Sequence, residues 1–338
     1  MNRRSFTFAG TAALAGLTIG TPAPAQSFQH GFQIADWQDG ALRRDLGGMA
    51  RPGDPVRHET LFQVASCSKT VTALAILTLV RDGRVALDRP VNQSLKRWQL
   101  PGPRGKRATP AELLSHTAGT NIHGFAGYGT AEDIPDLIQI LRGEAPSNSP
   151  AVTTRRRLSK RFDYSGGGTT VLQCLIEDVT DMAFAAYASK AVLIPVGARH
   201  ATFDLHPRAH HAQGLLETGD PLDGGFRRHP ESAAAGLWAS ATDLVQIMRA
   251  ILISLSGAPG ALLPAPLAQR MIVPVTPNVG LGVLVKPGEV IWHDGRNEGF
   301  EAAMAGDLVT GRARAGVTNR NGQMQAVLDA DHARYGMD

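Results

Sequence analysis

The chain has 338 residues, 43% hydrophobic and 19% charged, which is ordinary globular material and enough for one large domain or two closely joined ones. A formal charge of +4 is too weak to argue for a nucleic-acid partner. Its two cysteines, Cys67 and Cys174, cannot make a disulfide framework, and no internal repeat stands out.

Residues 1–25 read as a targeting segment of the twin-arginine type. Asn2-Arg3-Arg4-Ser5-Phe6 carries the arginine pair, Thr7 to Gly20 is an apolar core rich in Ala, Leu and Gly, and Ala23-Pro24-Ala25 fits a small-residue cleavage site. The core is short and weakly hydrophobic for a membrane anchor, so no stable span is expected after cleavage. The expected destination is the bacterial periplasm or exterior. Twin-arginine export implies that the chain folds before it crosses.

Gly31 to Met49 reads as a β-hairpin around Asp39-Gly40, a strong turn signal. Arg51 to Thr60 is a polar loop bearing Pro and Gly. Leu61 to Gly83 follows and organises the rest. Val71 to Val80 is apolar nearly all round, the pattern of a core helix. Arg81 falls in its last turn and Gly83 just past its end. At its start, Ser66 and Lys69 stand three apart, which on a helix puts a hydroxyl and an amine on one face. A free lysine has a pKa near 10.4 and is no base at neutral pH. Burial lowers that value, and the positive end of a helix disfavours an ammonium further. Bringing Lys69 to about 7 costs roughly 4–5 kcal/mol. Such a pair makes an activated serine nucleophile, although S-x-x-K also occurs by chance on many helices. Cys67 has Thr70 as its i+3 partner, which cannot act as a base, so it reads as a small buried hydrophobe.

Asp88-Arg89-Pro90 begins a connecting region. Thr109-Pro110-Ala111-Glu112 is a capping box that opens a short helix, and Ile134 to Leu141 is another helical segment. Arg155 to Arg161 holds five basic residues in seven and reads as a solvated loop face rather than a site for an anionic partner. Phe162 to Gly168 is a glycine-rich turn before a helix with Val171, Leu172, Leu175, Ile176 and Val179 on one face. His200, His206, His210 and His211 form a histidine-rich patch. Pro207 interrupts its i, i+4 pair and no carboxylates match its register, so it reads as surface histidines and no metal is expected.

Ala234 to Leu252 reads as one helix, with Ser240 and Thr242 as candidate N-caps and an apolar stripe of Leu244, Ile247, Met248, Ile251 and Leu252. Gly282 to Trp292 is a hairpin around Lys286-Pro287-Gly288. Phe300 to Leu308 and Arg312 to Thr318 form a further strand pair, and the chain ends in a short helix-like tail. Strands at both ends with helices between predict an α/β fold of the α+β type. Its antiparallel sheet is built from both chain ends and flanked by helices (residues 26–88 and 270–338), with a mostly helical region inserted (89–269).

At this point a resemblance becomes specific. Val64-Ala65-Ser66-Cys67-Ser68-Lys69-Thr70 resembles the nucleophile motif of the serine β-lactamase-like, penicillin-recognising hydrolases, in particular their class C and esterase branch. Leu113 to Gly119 is similar to the LLSHTSG segment of that branch, and Phe162-Asp163-Tyr164-Ser165 to its F-x-Y-S-N motif. Ala235 to Leu244 is similar to its GGLxSTAxDL segment, and Trp292-His293-Asp294-Gly295 with Glu298-Gly299-Phe300 to its last H-x-G…GF strand. The five segments come in the family's order and cover essentially all of the chain after residue 25.

The resemblance implies that Ser66 attacks a carbonyl and is acylated, that Lys69 and Tyr164 share the proton traffic with either as the base, and that water releases the acyl group. A phenol has a pKa near 10 and needs the lysine's positive charge to act as phenolate. The backbone N–H groups of Ser66 and Arg296 would form the oxyanion hole. Gly295 would let substrate approach the strand. His293 would orient substrate or proton network, or else be an ordinary strand histidine, and His116 would hold the loop after its helix. Gly166 departs from the family pattern. The asparagine of Y-S-N, whose amide contacts a substrate acylamido group, is missing there, which favours a different substrate. The function implied is an exported hydrolase of a small-molecule or peptide-like ester or amide, without cofactor. The alternatives are a β-lactamase or D-Ala-D-Ala carboxypeptidase, and a penicillin-binding sensor that acylates once and stalls. The sequence leaves the oligomeric state open.

Overall fold

The computed structural model describes residues 30–155 and 161–335. The targeting segment lies outside the described residues, as do residues 156–160 of the basic run.

A six-stranded antiparallel sheet is built from the two chain ends. Strands β1 (Phe32–Gln38) and β2 (Ala41–Gly47) form the first hairpin. Asp39 and Gly40 both have positive φ, 51° and 81°, which suits the twist of a two-residue hairpin turn. The short pair β3 (Met49–Arg51) and β4 (Asp54–Pro55) follows, then β5 (Phe62–Gln63), which pairs with β6 (Trp238–Ala239). The C-terminal part supplies β7 (Leu284–Lys286), β8 (Val290–Asn297), β9 (Phe300–Asp307) and β10 (Ala313–Thr318). The order across the sheet is β2-β1-β10-β9-β8-β7, so β10 returns to lie beside β1 with Ile34 opposite Gly316.

The helices in chain order are α1 (Ser68–Arg81), α2 (Pro110–Leu114), α3 (Leu137–Arg142), α4 (Gly166–Thr180), α5 (Phe184–Ala188), α6 (Ile194–Val196), α7 (Ser232–Ala235), α8 (Ala241–Ser256), α9 (Ala265–Ile272) and α10 (Met324–Tyr335). Helix α1 is buried from Ser68 to Leu79, as its all-round apolar sequence requires, and packs against α4 and α7. Helix α8 lays Leu244, Ile247, Met248 and Ile251 on β1, β9 and β10. Helix α10 packs against β1, β9 and β10 as well, and Val327 joins Phe32 and Ile34 in a small separate cluster. Helix α2 opens with the capping box at Thr109 and Glu112.

Four expectations are corrected. The stretch 234–252 is not one helix. It breaks into α7, the two-residue strand β6 and α8, because Leu237 to Ala239 pair with the chain before Ser66: Val64 N–H donates to Leu237 O at 3.0 Å, and Phe62 faces Ala239. Ser240, rather than Thr242, caps α8, its hydroxyl accepting from Asp243 N–H while Asp243 reaches back to Ser240 N–H. Helix α3 begins at Leu137, capped by Asp136, rather than at Ile134. The glycines 166–168 are the first turn of α4 rather than a turn before it.

Candidate active site

The stretch around Ser66 is two elements. Ala65–Cys67 form a single 3-10 turn, and α1 starts only at Ser68. Ala65 sits at φ 46°, in the left-handed region that alanine rarely adopts. The turn is pinned from several sides. Ser68 Oγ donates to Ala65 O at 2.5 Å and accepts from Leu237 N–H at 3.0 Å. Cys67 N–H donates to Val64 O, and Cys67 Sγ lies 3.7 Å from His293 O on β8. Strand β8 presses on the turn at Gly295: a Cβ there would stand 2.2 Å from Val64 O and 2.8 Å from Ser66 N. The sequence reading gives Gly295 to substrate approach; the protein's own backbone already requires a glycine there.

Lys69, one turn on, is 3% exposed. Its Nζ donates to Ser66 Oγ at 3.0 Å and to Ala234 O at 2.7 Å. That carbonyl belongs to α7, so the break between α7 and β6 is what positions the lysine. Burial among these neutral partners lowers the Lys69 pKa to about 7, against a smaller opposing pull from Cys67 and Asp294.

Tyr164 stands over this pair. Its ring centroid is 5.0 Å from Lys69 Nζ, and its side chain hydrogen-bonds that of Ser66. Burial pushes the phenol well above its ordinary pKa; the Ser66 bond offsets only part of this. The same burial favours the neutral form of each group, so near neutrality the phenol is protonated and the amine partly deprotonated. His116 holds Tyr164 in place from both sides along the chain. Its carbonyl accepts from Asp163 N–H at 2.8 Å, its Nδ1 accepts from Ser165 N–H at 3.1 Å, and its ring lies 4.5 Å from the tyrosine ring. Burial keeps His116 neutral, its pKa well below the ordinary value.

His293 is buried with its ring 6.4 Å from that of Tyr164. Its Nδ1 lies 2.7 Å from Asp294 O, so that nitrogen carries the proton and Nε2 is left as acceptor. Burial lowers its pKa to about 4, so it is neutral. The Arg296 side chain is exposed and reaches to Glu217 at 3.4 Å and Glu301 at 3.8 Å, away from Ser66, which leaves only its backbone to serve the site. Gly166 opens α4 two residues after Tyr164. The histidine patch lies apart from this cluster. His210 bridges Thr60 and Asp54, and His206 packs on Phe226.

The sequence reading thus names Ser66, Lys69, Tyr164 and His293, and the fold brings all four together. It missed Ser68, the Ala234 carbonyl, and His123, whose ring is 5.0 Å from that of Tyr164. Ser68 had a signal, since it lies inside the nucleophile motif between Cys67 and Lys69; the carbonyl had none.

A mixed fold with a six-stranded antiparallel sheet and a Ser–Lys–Tyr cluster at the head of its core helix places the protein in the class of β-lactamase and penicillin-binding-protein folds. The beta-lactamase family model matches residues 22–336, and the chain belongs to that family. It is 33% identical over 181 residues to esterase EstB of Burkholderia gladioli, a match covering 48% of this chain and 44% of that one. The structure of SurE with D-Leu is 27% identical with a TM-score of 0.69, covering 90% of this chain and 70% of that one. The D-amino acid amidase from Ochrobactrum anthropi SV3 complexed with L-phenylalanine amide shares the fold at a TM-score of 0.71 and 19% identity, covering 89% and 91%. The chain spans about half the length of the curated relatives it matches.

Proposed function

We propose that the protein is an exported serine hydrolase that cleaves a carboxylic ester through an acyl-Ser66 intermediate. The observation that carries this is the contact of a buried, near-neutral Lys69 with Ser66 Oγ at 3.0 Å. Neutral Lys69 takes the Ser66 proton as Oγ bonds to the substrate carbonyl carbon. The carbonyl oxygen becomes an oxyanion held by the N–H groups of Ser66 and Arg296; loss of one such donor typically costs about 3–4 kcal/mol. Lysine, then a cation, returns the proton to the leaving alkoxide through the Tyr164 hydroxyl as the C–O bond breaks. Water enters, gives its proton to the same pair and attacks the acyl carbon. Ser66 recovers a proton as it leaves, and the products are an acid and an alcohol. With Lys69 lowered to about 7 and Tyr164 raised, the lysine is the base and the phenol the relay. Neutral His293 keeps Nε2 as an acceptor for the relay or the substrate.

The esterase named among the relatives supports an ester over a lactam. The likeness to SurE with D-Leu keeps a second reading, a D-aminoacyl ester or amide. The Arg3-Arg4 start supports export of the folded protein. Short-chain 4-nitrophenyl esters, nitrocefin and D-Ala-D-Ala peptides assayed side by side test the proposal. The expected result is turnover of the esters, abolished by Ser66→Ala, with nitrocefin near the buffer rate. Fast nitrocefin turnover overturns the ester assignment, and a single burst without turnover points to the sensor instead.

A further inference from the structure

The glycines that open α4 have a steric cause. A Cβ on Gly166 would stand 3.1 Å from His123 O and 3.1 Å from Phe125 Cε2. On Gly167 it would meet Ile122 Cβ at 3.1 Å, and on Gly168 Thr120 Oγ1 at 2.8 Å. The segment 120–125 therefore lies directly on the first turn of α4.

That packing also occupies the first amides of α4 and the Asn121 side chain. Gly166 N–H donates to His123 O at 2.8 Å, Gly167 N–H to Ile122 O at 3.1 Å, and Gly168 N–H to Ser165 Oγ at 3.0 Å. The N-terminus of α4 has no free amide on these three residues for a carboxylate. Asn121 uses both ends of its side chain, donating to Ala151 O and accepting from Thr153 N–H. Rings remain. His123 and Phe162 lie 5.0 and 6.4 Å from the Tyr164 ring, and Phe125 lies against Gly166. His123 is exposed, Phe162 is 40% exposed and Phe125 is half-buried, so their faces are open to a ligand.

We propose that Phe125, Phe162 and His123 form the wall that receives the acyl group beside Ser66, and that this wall selects uncharged alkyl or arylalkyl acyl chains. It discriminates against acyl groups carrying an amide or a carboxylate on the α-carbon. An amide pressed on the Phe125 and Phe162 faces would lose its water without gaining a partner from them; the polar atoms of this wall are the His123 ring nitrogens. The inference rests on Ser66 as the nucleophile.

The test compares the 4-nitrophenyl esters of 3-phenylpropanoic acid and of N-acetyl-phenylalanine (both enantiomers) on the full chain. Each kcat/KM is divided by the rate constant for hydroxide hydrolysis. The unsubstituted ester should lead by tenfold or more; parity, or preference for either acetamido ester, overturns the proposal. In Phe125→Ala the kcat/KM ratio of 3-phenylpropanoate to acetate should fall at least fivefold, and an unchanged ratio overturns it. Should that variant not fold, the wild-type comparison decides alone. Absence of Ser66-dependent hydrolysis of every ester brings down the serine hydrolase reading and this one with it. Good acetate hydrolysis with the wrong ratio brings down this one only.

Discussion

Lys69 has a hydroxyl and a carbonyl as its hydrogen-bond partners and almost no solvent. Its folded pKa is about 7 against an ordinary 10.5, so the unfolded chain binds more protons between those values. Stability therefore rises with pH through that window, and below about pH 7 the whole penalty is present. Lys69→Met should stabilise the protein by up to about 4–5 kcal/mol at pH 6, with the gain shrinking toward pH 10. Urea unfolding at the two pH values measures this, and an equal effect at both would contradict it. The same variant should lose at least about a thousandfold in ester kcat/KM, on the scale of general-base catalysis. Tyr164→Phe should lose about a hundredfold and keep the pH dependence set by Lys69. The residue identities were legible because motif spacing is local. The positive φ of Ala65 and the double hold of His116 on Tyr164 were not, since both come from packing between distant segments.

Elements set the site by their closeness. Strand β8 reaches the Ser66 turn only because residue 295 has no side chain. Gly295→Ala should push the strand off the turn, lower kcat/KM a hundredfold or more, and destabilise by about 1–3 kcal/mol. Thermal unfolding beside ester kinetics checks both, and an active, undisturbed variant would contradict the account. The hairpins were readable from Asp39-Gly40 and Lys286-Pro287-Gly288, whose turn chemistry fixes register locally. The segment 234–252 was misread because helical periodicity ran on past Gly236. Only the pairing of β6 with β5, far off in sequence, ends the first helix there.

At the scale of the molecule, both faces of the sheet are covered by helices and the active cluster lies deep enough to shift several ionisable groups. Glu231 is one of these, fully buried, with both carboxylate oxygens unpaired and a pKa raised to about 7 by burial. A carboxyl whose folded pKa exceeds its unfolded 4.5 leaves stability whole below about pH 4.5, and stability is lost as pH rises toward 7. Glu231→Gln should remove that loss. The wild-type Tm should fall relative to the variant between pH 5 and 8, and parallel curves would contradict this. The sheet from both chain ends was legible because strands cluster at the termini. The burial of Glu231 was not, since nothing local in Pro230-Glu231-Ser232 distinguishes it from a surface acid.

The central claim is that a neutral, buried Lys69 makes Ser66 a nucleophile. The most direct measurement is the second-order rate of fluorophosphonate labelling against pH, in wild type and Lys69→Met, with the adduct located by mass spectrometry. The account predicts an adduct on Ser66, a rate that climbs along a limb with an apparent pKa of about 7, and at least a thousandfold slower labelling without that limb in the variant. Labelling at another residue, or a variant with the wild-type rate and profile, would contradict it.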